Sequence, residues 1–438
     1  MEQRGIVFKN FKWWALGSVV VLAGLGLAAC GGNGSGGSSS GTARLRLLNA
    51  STAYASLDFY VDDSKKNSAL GYGAAGDYAD VGTSSISTVI TNSGSTSALS
   101  TTGRTLTGGV SYTVVAYGWQ GAMKTALLEE DATAADSGKS KLMVLNTAPD
   151  AGTLDVYLTG SDESLDNASP VAASVAGGGT VGYTSIAAGT YRLRVTAAGD
   201  KTDLRLDVGN VVLASTQVAT LILTPGPSGV LVHALLEAQQ GSVSAFNNNL
   251  ARARVVASVA GNGKVTASLG GITLLSNGTS PTIGNYGSFI ATNSALQLVV
   301  NGTPVLVPSP TIAAGSDTTL LVWGDASAPQ LTVITDDNRL PSVSTNAKLR
   351  LVHGVSGLTD PLTLTADFSV IASNTALGHA SDFGTVTGGT AVRLDVTSPL
   401  SSTALYSLTD ATLSARSLYT LYMLGDAAHP SAALRKER

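Results

Sequence analysis

The stretch ARLRLLN, residues Ala43–Asn49, decides the fold because related stretches return three times along the chain. They begin at Ser140, Ala251 and Ala347 and read SKLMVLN, ARARVVA and AKLRLVH. In each copy, apolar and polar positions alternate before a fully apolar end, which is the period-two pattern of a β-strand. Because self-similarity at long spacing is the signature of repeated units, the pattern predicts four copies of one β-rich domain.

Each copy also contains further motifs at equivalent positions. A second strand motif, LDFYV at Leu57–Val61, returns as LDVYL at Leu154–Leu158, each of them fourteen residues after the start of its copy. Later in each copy an aromatic residue precedes an apolar residue by three positions; the pairs are Tyr78/Val81, Tyr183/Ile186, Tyr286/Phe289 and Phe383/Val386. The alternation in the LDFYV motif again indicates a strand with one buried face.

Each copy is predicted to close with a hairpin of fixed register. A glycine is followed nine residues later by an apolar residue; the pairs are Gly118/Leu127, Gly226/Leu235, Gly324/Val333 and Gly425/Leu434. A constant turn-to-strand distance is what a hairpin of set register requires, since a slip of one residue would turn every side chain to the wrong face. We number the copies repeats 1 to 4, spanning 43–132, 140–240, 250–341 and 346–438.

Composition supports an all-β fold. Hydrophobic residues make up 44% of the 438-residue chain and charged residues only 13%, with 50 glycines, which favours strands and tight turns over helices. The chain has a single cysteine, so each repeat is stabilised by its core without an internal disulfide. Units of this size with about seven short strands indicate Ig-like sandwiches. The predicted fold is a tandem array of four Ig-like antiparallel β-sandwich domains.

The repeats resemble a bacterial family of unknown function, DUF4397. The matching segments are Ala43–Ser51, Leu57–Val61, Tyr112–Val115 and Ala126–Asp131 in repeat 1, and Asn146–Ala151 and Gly189–Tyr191 in repeat 2. Repeat 3 diverges most, because Ala257 stands where the other copies have Asn or His. The resemblance implies a fold class and a location in the cell envelope, and it implies no activity.

The amino-terminus has the features of an export signal. Arg4, Lys9 and Lys12 give it a positive charge, and Trp13–Leu27 is nearly all apolar. Such a segment is short for a membrane span and is typical of a secretory signal, although an uncleaved anchor helix is an alternative. The residues Leu27–Cys30 resemble the lipobox of bacterial lipoproteins.

That resemblance implies a cleaved signal peptide over 1–29 and a lipidated Cys30. The thiol of Cys30 would carry diacylglycerol, and the amino group exposed by cleavage would carry an acyl chain. Two or more acyl chains anchor a protein stably in a membrane. Residues 30–42 would follow as a lipidated cysteine and a Gly/Ser tether, whose eleven residues Gly31–Gly41 span about 18 Å as a flexible coil. Gly31 is not the Asp that retains lipoproteins in the inner membrane, so the resemblance favours the outer membrane, on either its periplasmic or its surface face.

Two formal motif matches fail on their context. GYGAAG at Gly71–Gly76 has the spacing of a dinucleotide fingerprint, but no strand precedes it and no helical pattern follows, so we expect a loop. GSSSG at Gly37–Gly41 has the spacing of a nucleophile elbow but lies in the tether. Neither match predicts a cofactor or a catalytic residue.

The sequence contains no compact metal-binding motif. The histidines His233, His353, His379 and His429 are scattered and form no close pair. His353 stands where Asn49 and Asn146 stand, and we expect all three to hydrogen-bond to their own turn. Acidic residues recur where copies end; they are Glu129, Glu130, Asp131, Glu237, Asp336 and Asp337. Solvated linker charge is the favoured interpretation, and Ca²⁺ at the junctions is the alternative.

Basic pairs and two tryptophans suggest surfaces that bind ligands. The pairs Arg44/Arg46, Arg252/Arg254 and Lys348/Arg350 each lie on one face of an opening strand. They are interpreted as charges that protect an outer strand from edge pairing, with contact to anionic lipid or glycan as the alternative. Trp119 and Trp323 flank hairpin glycines, where an aromatic ring can stack on a sugar or close the end of a sandwich.

The net charge of −4 offers no basic footprint for nucleic acid. No combination of nucleophile, base and orienting group can be assembled from the motifs, so catalysis is not predicted. We predict a non-catalytic, lipid-anchored envelope protein whose repeats either bind a ligand or act as a structural spacer at the cell envelope. A carbohydrate- or matrix-binding adhesin-like module is one alternative, and an uncharacterised envelope enzyme is another. The expected partners are the membrane, through the acyl chains on Cys30, and a glycan or envelope protein; oligomeric state is not encoded.

Overall fold

The computed structural model describes residues 41–438, so Cys30, the predicted signal peptide and most of the predicted tether lie outside the described residues. Within residues 41–438 the regular structure is 35 β-strands and one short 3-10 helix, η1, at Pro149–Ala151. The prediction of an all-β chain is confirmed. The strands of each repeat form two sheets, and we call the sheet that contains the opening strand the inner sheet and its partner the outer sheet.

Repeat 1 consists of β1 Thr42–Asn49, β2 Leu57–Val61, β3 Ser64–Leu70, β4 Ala79–Gly82, β5 Ile86–Asn92, β6 Ala98–Arg104, β7 Ser111–Tyr117 and β8 Lys124–Glu129. Its inner sheet has the strand order β4-β1-β7-β8 and its outer sheet the order β3-β2-β5-β6.

Repeat 2 consists of β9 Lys139–Asn146, β10 Leu154–Thr159, β11 Ala172–Val175, β12 Thr180–Ala187, β13 Gly189–Ala197, β14 Asp200–Leu213, β15 Val218–Pro225, β16 Val232–Ala238 and β17 Val243–Phe246. The inner sheet is β12-β9-β15-β16-β17 and the outer sheet is β11-β10-β13-β14.

Repeat 3 consists of β18 Leu250–Val259, β19 Lys264–Leu269, β20 Ile272–Thr279, β21 Thr282–Ile283, β22 Gly287–Ile290, β23 Leu296–Val300, β24 Thr303–Val305, β25 Asp317–Asp325 and β26 Ala328–Asp336. The inner sheet is β21-β18-β25-β26, with β22 also pairing with β18, and the outer sheet is β20-β19-β23-β24.

Repeat 4 consists of β27 Asn346–His353, β28 Leu362–Ala366, β29 Ser369–Thr375, β30 His379–Ala380, β31 Gly384–Thr387, β32 Ala391–Thr397, β33 Tyr406–Thr412, β34 Leu418–Asp426 and β35 His429–Lys436. The inner sheet is β30-β27-β34-β35, with β31 also pairing with β27, and the outer sheet is β29-β28-β32-β33.

The closing hairpins have one register in all four repeats, as the glycine spacing predicts. The paired residues are Val114/Leu127, Ile222/Leu235, Leu320/Val333 and Leu421/Leu434. The apolar residue that follows each aromatic also pairs with the same position of the opening strand, giving Ala43/Val81, Ser140/Ile186, Ala251/Phe289 and Ala347/Val386. The recurring aromatic motif thus marks a strand that pairs with the opening strand in every repeat.

The structure adds two details to the predicted sandwich. The repeats contain eight or nine strands rather than about seven, because the strand after the outer hairpin is split in repeats 3 and 4 and β17 extends repeat 2. The inner sheets are also not purely antiparallel, since each opening strand runs parallel to the first strand of the closing hairpin. A parallel pair requires a long crossover, and here the strands of the outer sheet supply that connection.

Each repeat has its own core between its two sheets. In repeat 1, Leu45 and Val114 of the inner sheet meet Leu57 and Phe59 of the outer sheet, and none of the four is accessible to solvent. Burying one such side chain is worth about 1.5–3 kcal/mol. The cores of the other repeats contain the equivalent strands.

The inner sheets also pack face to face in pairs. Between repeats 1 and 2, Leu48, Leu145, Ile222 and Leu235 form a second apolar cluster. Between repeats 3 and 4, the corresponding cluster contains Val256, Leu321, Val352, Tyr422 and Leu424. A strand that is buried on both faces needs apolar residues at successive positions. This packing explains the fully apolar end of each opening stretch, where Leu47 faces the core of repeat 1 and Leu48 faces repeat 2.

The two pairs of repeats contact each other directly. The backbone N–H of Asp317 in repeat 3 donates to Oγ of Ser228 in repeat 2 at 3.0 Å. The backbone N–H of Leu340, in the segment between repeats 3 and 4, donates to Oδ1 of Asp150 in repeat 2 at 3.2 Å. Residues 40–438 accordingly form one compact unit.

Candidate functional site

The basic residues of the opening strands do not lie at a sheet edge. Strands β1, β18 and β27 each have neighbours on both sides, so the predicted role of blunting an outer strand is wrong. The second basic residue of each pair is buried, with Arg46 4%, Arg254 0% and Arg350 3% exposed. These three guanidinium groups lie between the paired inner sheets, where an anionic lipid or glycan cannot reach them.

Each buried arginine has the same two supports within its repeat. Its Nε donates to the hydroxyl of the threonine opposite it on the parallel strand, at 2.8 Å for Arg46–Thr113, 2.9 Å for Arg254–Thr319 and 3.2 Å for Arg350–Thr420. Its guanidinium carbon lies over the recurring aromatic ring, at 4.4 Å for Tyr78, 4.5 Å for Tyr286 and 4.8 Å for Phe383. The recurring aromatic of the sequence pattern is therefore a cation–π partner.

Carboxylates from the neighbouring repeat neutralise these arginines. The nitrogen–oxygen distances are 2.7 Å for Arg46–Glu237, 2.7 Å for Arg254–Glu437 and 2.5 Å for Arg350–Asp336. Glu237 and Asp336 are each only 1% exposed, so their interpretation as solvated linker charge is wrong. Although burial opposes it, the nearby Arg350 and Arg254 lower the pKa of Asp336.

The two interfaces differ in their balance of charge. Between repeats 3 and 4, two arginines face two carboxylates. Between repeats 1 and 2, Met143 occupies the place of the second arginine opposite Thr220, while Glu130 and Glu237 are both present around Arg46. Burial and the neighbouring Glu130 raise the pKa of Glu237 to about 7.

A cleft with a volume of about 460 Å³ lies where repeats 1, 2 and 4 meet the segment that joins repeats 3 and 4. Trp119 comes from the closing hairpin of repeat 1, Asp150 from η1 of repeat 2, Arg339 from the joining segment and Lys348 from β27. The cleft thus brings a tryptophan together with several charged side chains.

Trp119 is held in place within this cleft. Its indole N–H donates to Oδ2 of Asp150, and the guanidinium carbon of Arg339 lies 4.8 Å from the centre of its ring system. Asp150 is only 5% exposed and also accepts the backbone N–H of Leu340. The ring is therefore fixed by contacts from two other parts of the chain rather than standing free at a hairpin tip.

Asp337 organises the basic side chains of the cleft. Its carboxylate accepts hydrogen bonds from Nε and Nη2 of Arg339 at 2.6 and 3.0 Å and from Nζ of Lys348 at 2.9 Å. Although partial burial opposes it, these hydrogen bonds lower the pKa of Asp337 to about 2. The carboxylate is thus ionised throughout the neutral range.

Trp323 does not occupy an open tip. Its indole N–H donates to the hydroxyl of Thr332 at 3.0 Å, and its ring lies against Gly378 of repeat 4. A Cβ atom at Gly378 would stand 2.5 Å from the ring carbons, so only glycine fits there. Trp323 is part of the contact between repeats 3 and 4.

The turn-bonding prediction for the polar end of the opening strand is confirmed. Oδ1 of Asn49 accepts the backbone N–H of Ser51 at 3.0 Å, and Oδ1 of Asn146 accepts that of Ala148 at 2.9 Å. Nδ1 of His353 accepts the backbone N–H of Val355 at 3.4 Å. The prediction of a loop at Gly71–Gly76 is also confirmed, since the segment consists of turns and an isolated bridge between Ala75 and Leu48. The expectation that no strand precedes it is wrong, because β3 ends directly before Gly71.

Within residues 41–438 no group of three or more His, Cys, Asp or Glu side chains has an arrangement that could hold a metal ion. In the same part of the chain, no helix is long and apolar enough to cross a membrane. The assembly of the cleft was not predicted from the sequence, because Trp119 and Asp150 are far in the chain from Arg339 and Lys348. The one available signal was Trp119 beside a hairpin glycine.

The fold defines the class of protein: a tandem array of Ig-like β-sandwiches whose inner sheets pack in pairs around buried arginines. The chain belongs to the family described as a domain of unknown function, DUF4397, whose model matches residues 43–157 and 251–358. No curated protein matches the chain.

Solved structures match the chain at low similarity. A Bacteroides uniformis protein assigned to cell adhesion is 13% identical, with 46% of this chain and 98% of that chain covered and a TM-score of 0.23. A family CBM26 module from Eubacterium rectale, solved with maltoheptaose, is 14% identical, with 46% and 96% covered and a TM-score of 0.15. At these TM-scores the structures do not relate their sites to the cleft described above.

Proposed function

We propose that this protein is a non-catalytic, lipid-anchored component of the cell envelope that binds its ligand in the cleft containing Trp119. The observation that carries the proposal is the fixed indole, which Asp150 and Arg339 hold at the meeting point of several parts of the chain. A preorganised site loses little conformational freedom when a ligand binds. The arginine pairs cannot serve this purpose, because their second members are buried.

The ligand class that we propose is carbohydrate. Sugars present apolar faces that stack on aromatic rings and hydroxyl groups that hydrogen-bond to charged side chains, and the cleft offers both kinds of group. Its lining combines Trp119 and Leu340 with Asp150, Asp337 and Arg339. A volume of about 460 Å³ lies within the range of small-ligand sites.

A glycan-array screen with residues 42–438 tests this proposal. We expect binding that Trp119→Ala abolishes and that Trp119→Phe weakens less, because phenylalanine keeps an aromatic face. Trp323→His is a control for changes at the contact between repeats 3 and 4, and it should keep the binding if the protein stays folded. An array without any signal from the folded protein would contradict the carbohydrate proposal.

The anchoring at Cys30 is a separate proposal that rests on the resemblance of Leu27–Cys30 to a lipobox. We infer attachment to the outer membrane, with Gly31–Gly41 as the tether. Cys30→Ser should lose fatty-acid labelling and retain its leader, and both changes are visible on a gel. Protease treatment of intact cells separates surface display from a periplasmic location. Equal labelling of both proteins would refute the anchor.

A further inference from the structure

We propose that the cleft prefers saccharides that carry carboxylate groups over neutral saccharides. This inference rests on the proposed carbohydrate binding and adds the charge of the ligand. It comes from the unpaired positive charges among the residues that line the cleft. One of these residues, Arg416, lies in a turn that has glycine in two other repeats, which provides a mild variant for the test.

The acidic side chains of the cleft are already engaged. Asp150 accepts the indole N–H of Trp119 and the backbone N–H of Leu340. Asp337 accepts hydrogen bonds from both Arg339 and Lys348. The charges of these two carboxylates therefore compensate those of the two basic groups beside them. Neither carboxylate is free to bind a positively charged group of a sugar or a metal ion.

Two further basic residues, Lys124 and Arg416, line the same cleft. Both are exposed, and neither forms an ion pair with any residue of the described chain from 41 to 438. The uncompensated charge of the cleft is therefore positive, although the whole protein has a net charge of −4. A concave site with unpaired charge of one sign attracts ligands of the opposite sign.

Arg416 also occupies a backbone position that favours glycine. Its φ is +56° and its N–H donates to the carbonyl of Asn346 at 2.7 Å. The equivalent turns of repeats 1 and 3 have Gly109 with φ +81° and Gly315 with φ +77°, and their N–H groups bond in the same way to Thr42 and Leu250. Repeat 2 has Thr216 at this position, with φ +66° and the same bond to Lys139. A non-glycine residue in this conformation costs on the order of 1 kcal/mol or more.

Because repeat 2 also accepts a residue other than glycine at this turn, the strain alone assigns no role to Arg416; its place in the lining of the cleft does. Its guanidinium group suits a carboxylate, because two parallel N–H groups can bond to the two oxygens of one carboxylate. The turn fixes the backbone at the cleft and leaves the side chain exposed. Arg416 is accordingly assigned to ligand binding, with Lys124 as a second positive group.

The test measures binding of polygalacturonate, of its methyl ester and of dextran to residues 42–438 by calorimetry. The acid and the ester share one backbone, and esterification replaces each charged carboxylate with a neutral methyl ester. We expect polygalacturonate to bind more tightly than the ester, by roughly three- to tenfold for each charge-assisted contact. We also expect this preference to weaken with increasing salt.

Arg416→Gly is the decisive variant, because glycine relieves the strained turn. It should fold with equal or greater stability and lose most of the preference for polygalacturonate, and Lys124→Gln should reduce that preference too. Lys264→Gln, which removes an exposed lysine outside the cleft, should bind like the parent protein.

The possible results distinguish this inference from the carbohydrate-binding proposal on which it rests. Equal affinity for acid and ester, or a preference that survives Arg416→Gly, would overturn the inference while carbohydrate binding stands. Binding of a neutral glycan on the array without binding of polygalacturonate would overturn it as well. If the folded protein binds no glycan on the array, the carbohydrate proposal itself is refuted.

Discussion

Arg46, Arg254 and Arg350 show how a buried charge is accommodated in this protein. Removing a guanidinium group from water costs several kcal/mol unless its hydrogen-bonding groups find partners. Each of the three has a threonine hydroxyl, an aromatic face and a carboxylate. Arg254 shows this most fully, since its two terminal nitrogens bond to Glu437 at 2.7 and 2.8 Å and Nη2 also bonds to Tyr422. Polar contacts of this kind fix the register of one repeat against the next.

Glu237 should make the contact between repeats 1 and 2 sensitive to pH. Its pKa is about 7 in the folded protein, above the value of about 4.3 for an unfolded chain. The protonated Glu237 side chain stabilises the folded protein fully at pH values below the unfolded-state pKa. This stabilisation is lost as the pH rises through 7. Between pH 5 and 8 the free energy of unfolding should fall by on the order of 1–3 kcal/mol relative to Glu237→Gln, measured by urea denaturation.

Glu437→Gln is the matched control, because Arg254 lowers the pKa of Glu437 in spite of burial. A carboxylate whose pKa is lowered by folding stabilises the protein at pH values above its unfolded-state pKa. This stabilisation is lost only as the pH falls through the folded-state pKa. The difference between the parent protein and this variant should therefore be flat from pH 5 to 8. A flat difference for Glu237→Gln as well would refute the charge imbalance.

Met143→Arg should repair that imbalance. The new guanidinium would lie opposite Thr220, as Arg46 lies opposite Thr113, and would supply the missing positive charge near Glu130. We expect a gain in the free energy of unfolding at pH 8 of about 1 kcal/mol and a weaker pH dependence. Met143→Leu controls for volume and should change stability by less than about 1.5 kcal/mol. If the arginine variant is less stable than the leucine variant at pH 8, the interpretation is wrong.

At the level of elements, the closing hairpins were the most predictable feature. The nine-residue spacing between glycine and apolar residue identified them, and the structure gives all four one register. The spacing could be read because a turn and its two strands are local in sequence. The parallel partner of each opening strand could not be read in this way, since it lies about 70 residues away in all four repeats.

Gly118→Ala should destabilise the closing hairpin of repeat 1. Gly118 has φ +108°, and a Cβ atom there would stand 2.4 Å from the carbonyl oxygen of Ala122. The strained backbone and the clash together should lower the free energy of unfolding by roughly 2–4 kcal/mol. Gly103→Ala is the control, because a Cβ there meets no atom within 4 Å, and thermal denaturation compares the two. Equal melting temperatures would contradict this account of the turn.

At the level of the whole molecule, the repeats form a compact body rather than separate units along a line. The inner sheets bury their outward faces in pairs, and the pairs meet at Ser228, Asp150 and Leu340. The cleft exists only because of this arrangement, since its lining comes from repeats 1, 2 and 4 and from the segment between repeats 3 and 4.

Small-angle X-ray scattering of residues 42–438 checks the compact arrangement. A compact chain of this length has a radius of gyration of about 21 Å, and a four-domain body with clefts should lie slightly above that value. We expect one compact particle whose radius does not change with salt concentration. A rod-like scattering curve with a much larger radius would contradict the packing between the pairs of repeats.

The sequence by itself determined the four repeats, their all-β character, the register of the closing hairpins and the family. These features follow from spacing and alternation, which depend on backbone geometry over short distances. The tertiary structure alone decided that Arg46, Arg254 and Arg350 are buried and that Trp119 lies in a shared cleft while Trp323 lies in an interface. The physical reason is that burial depends on which sheet packs against which, and that packing brings together residues of different repeats, such as Arg46 and Glu237.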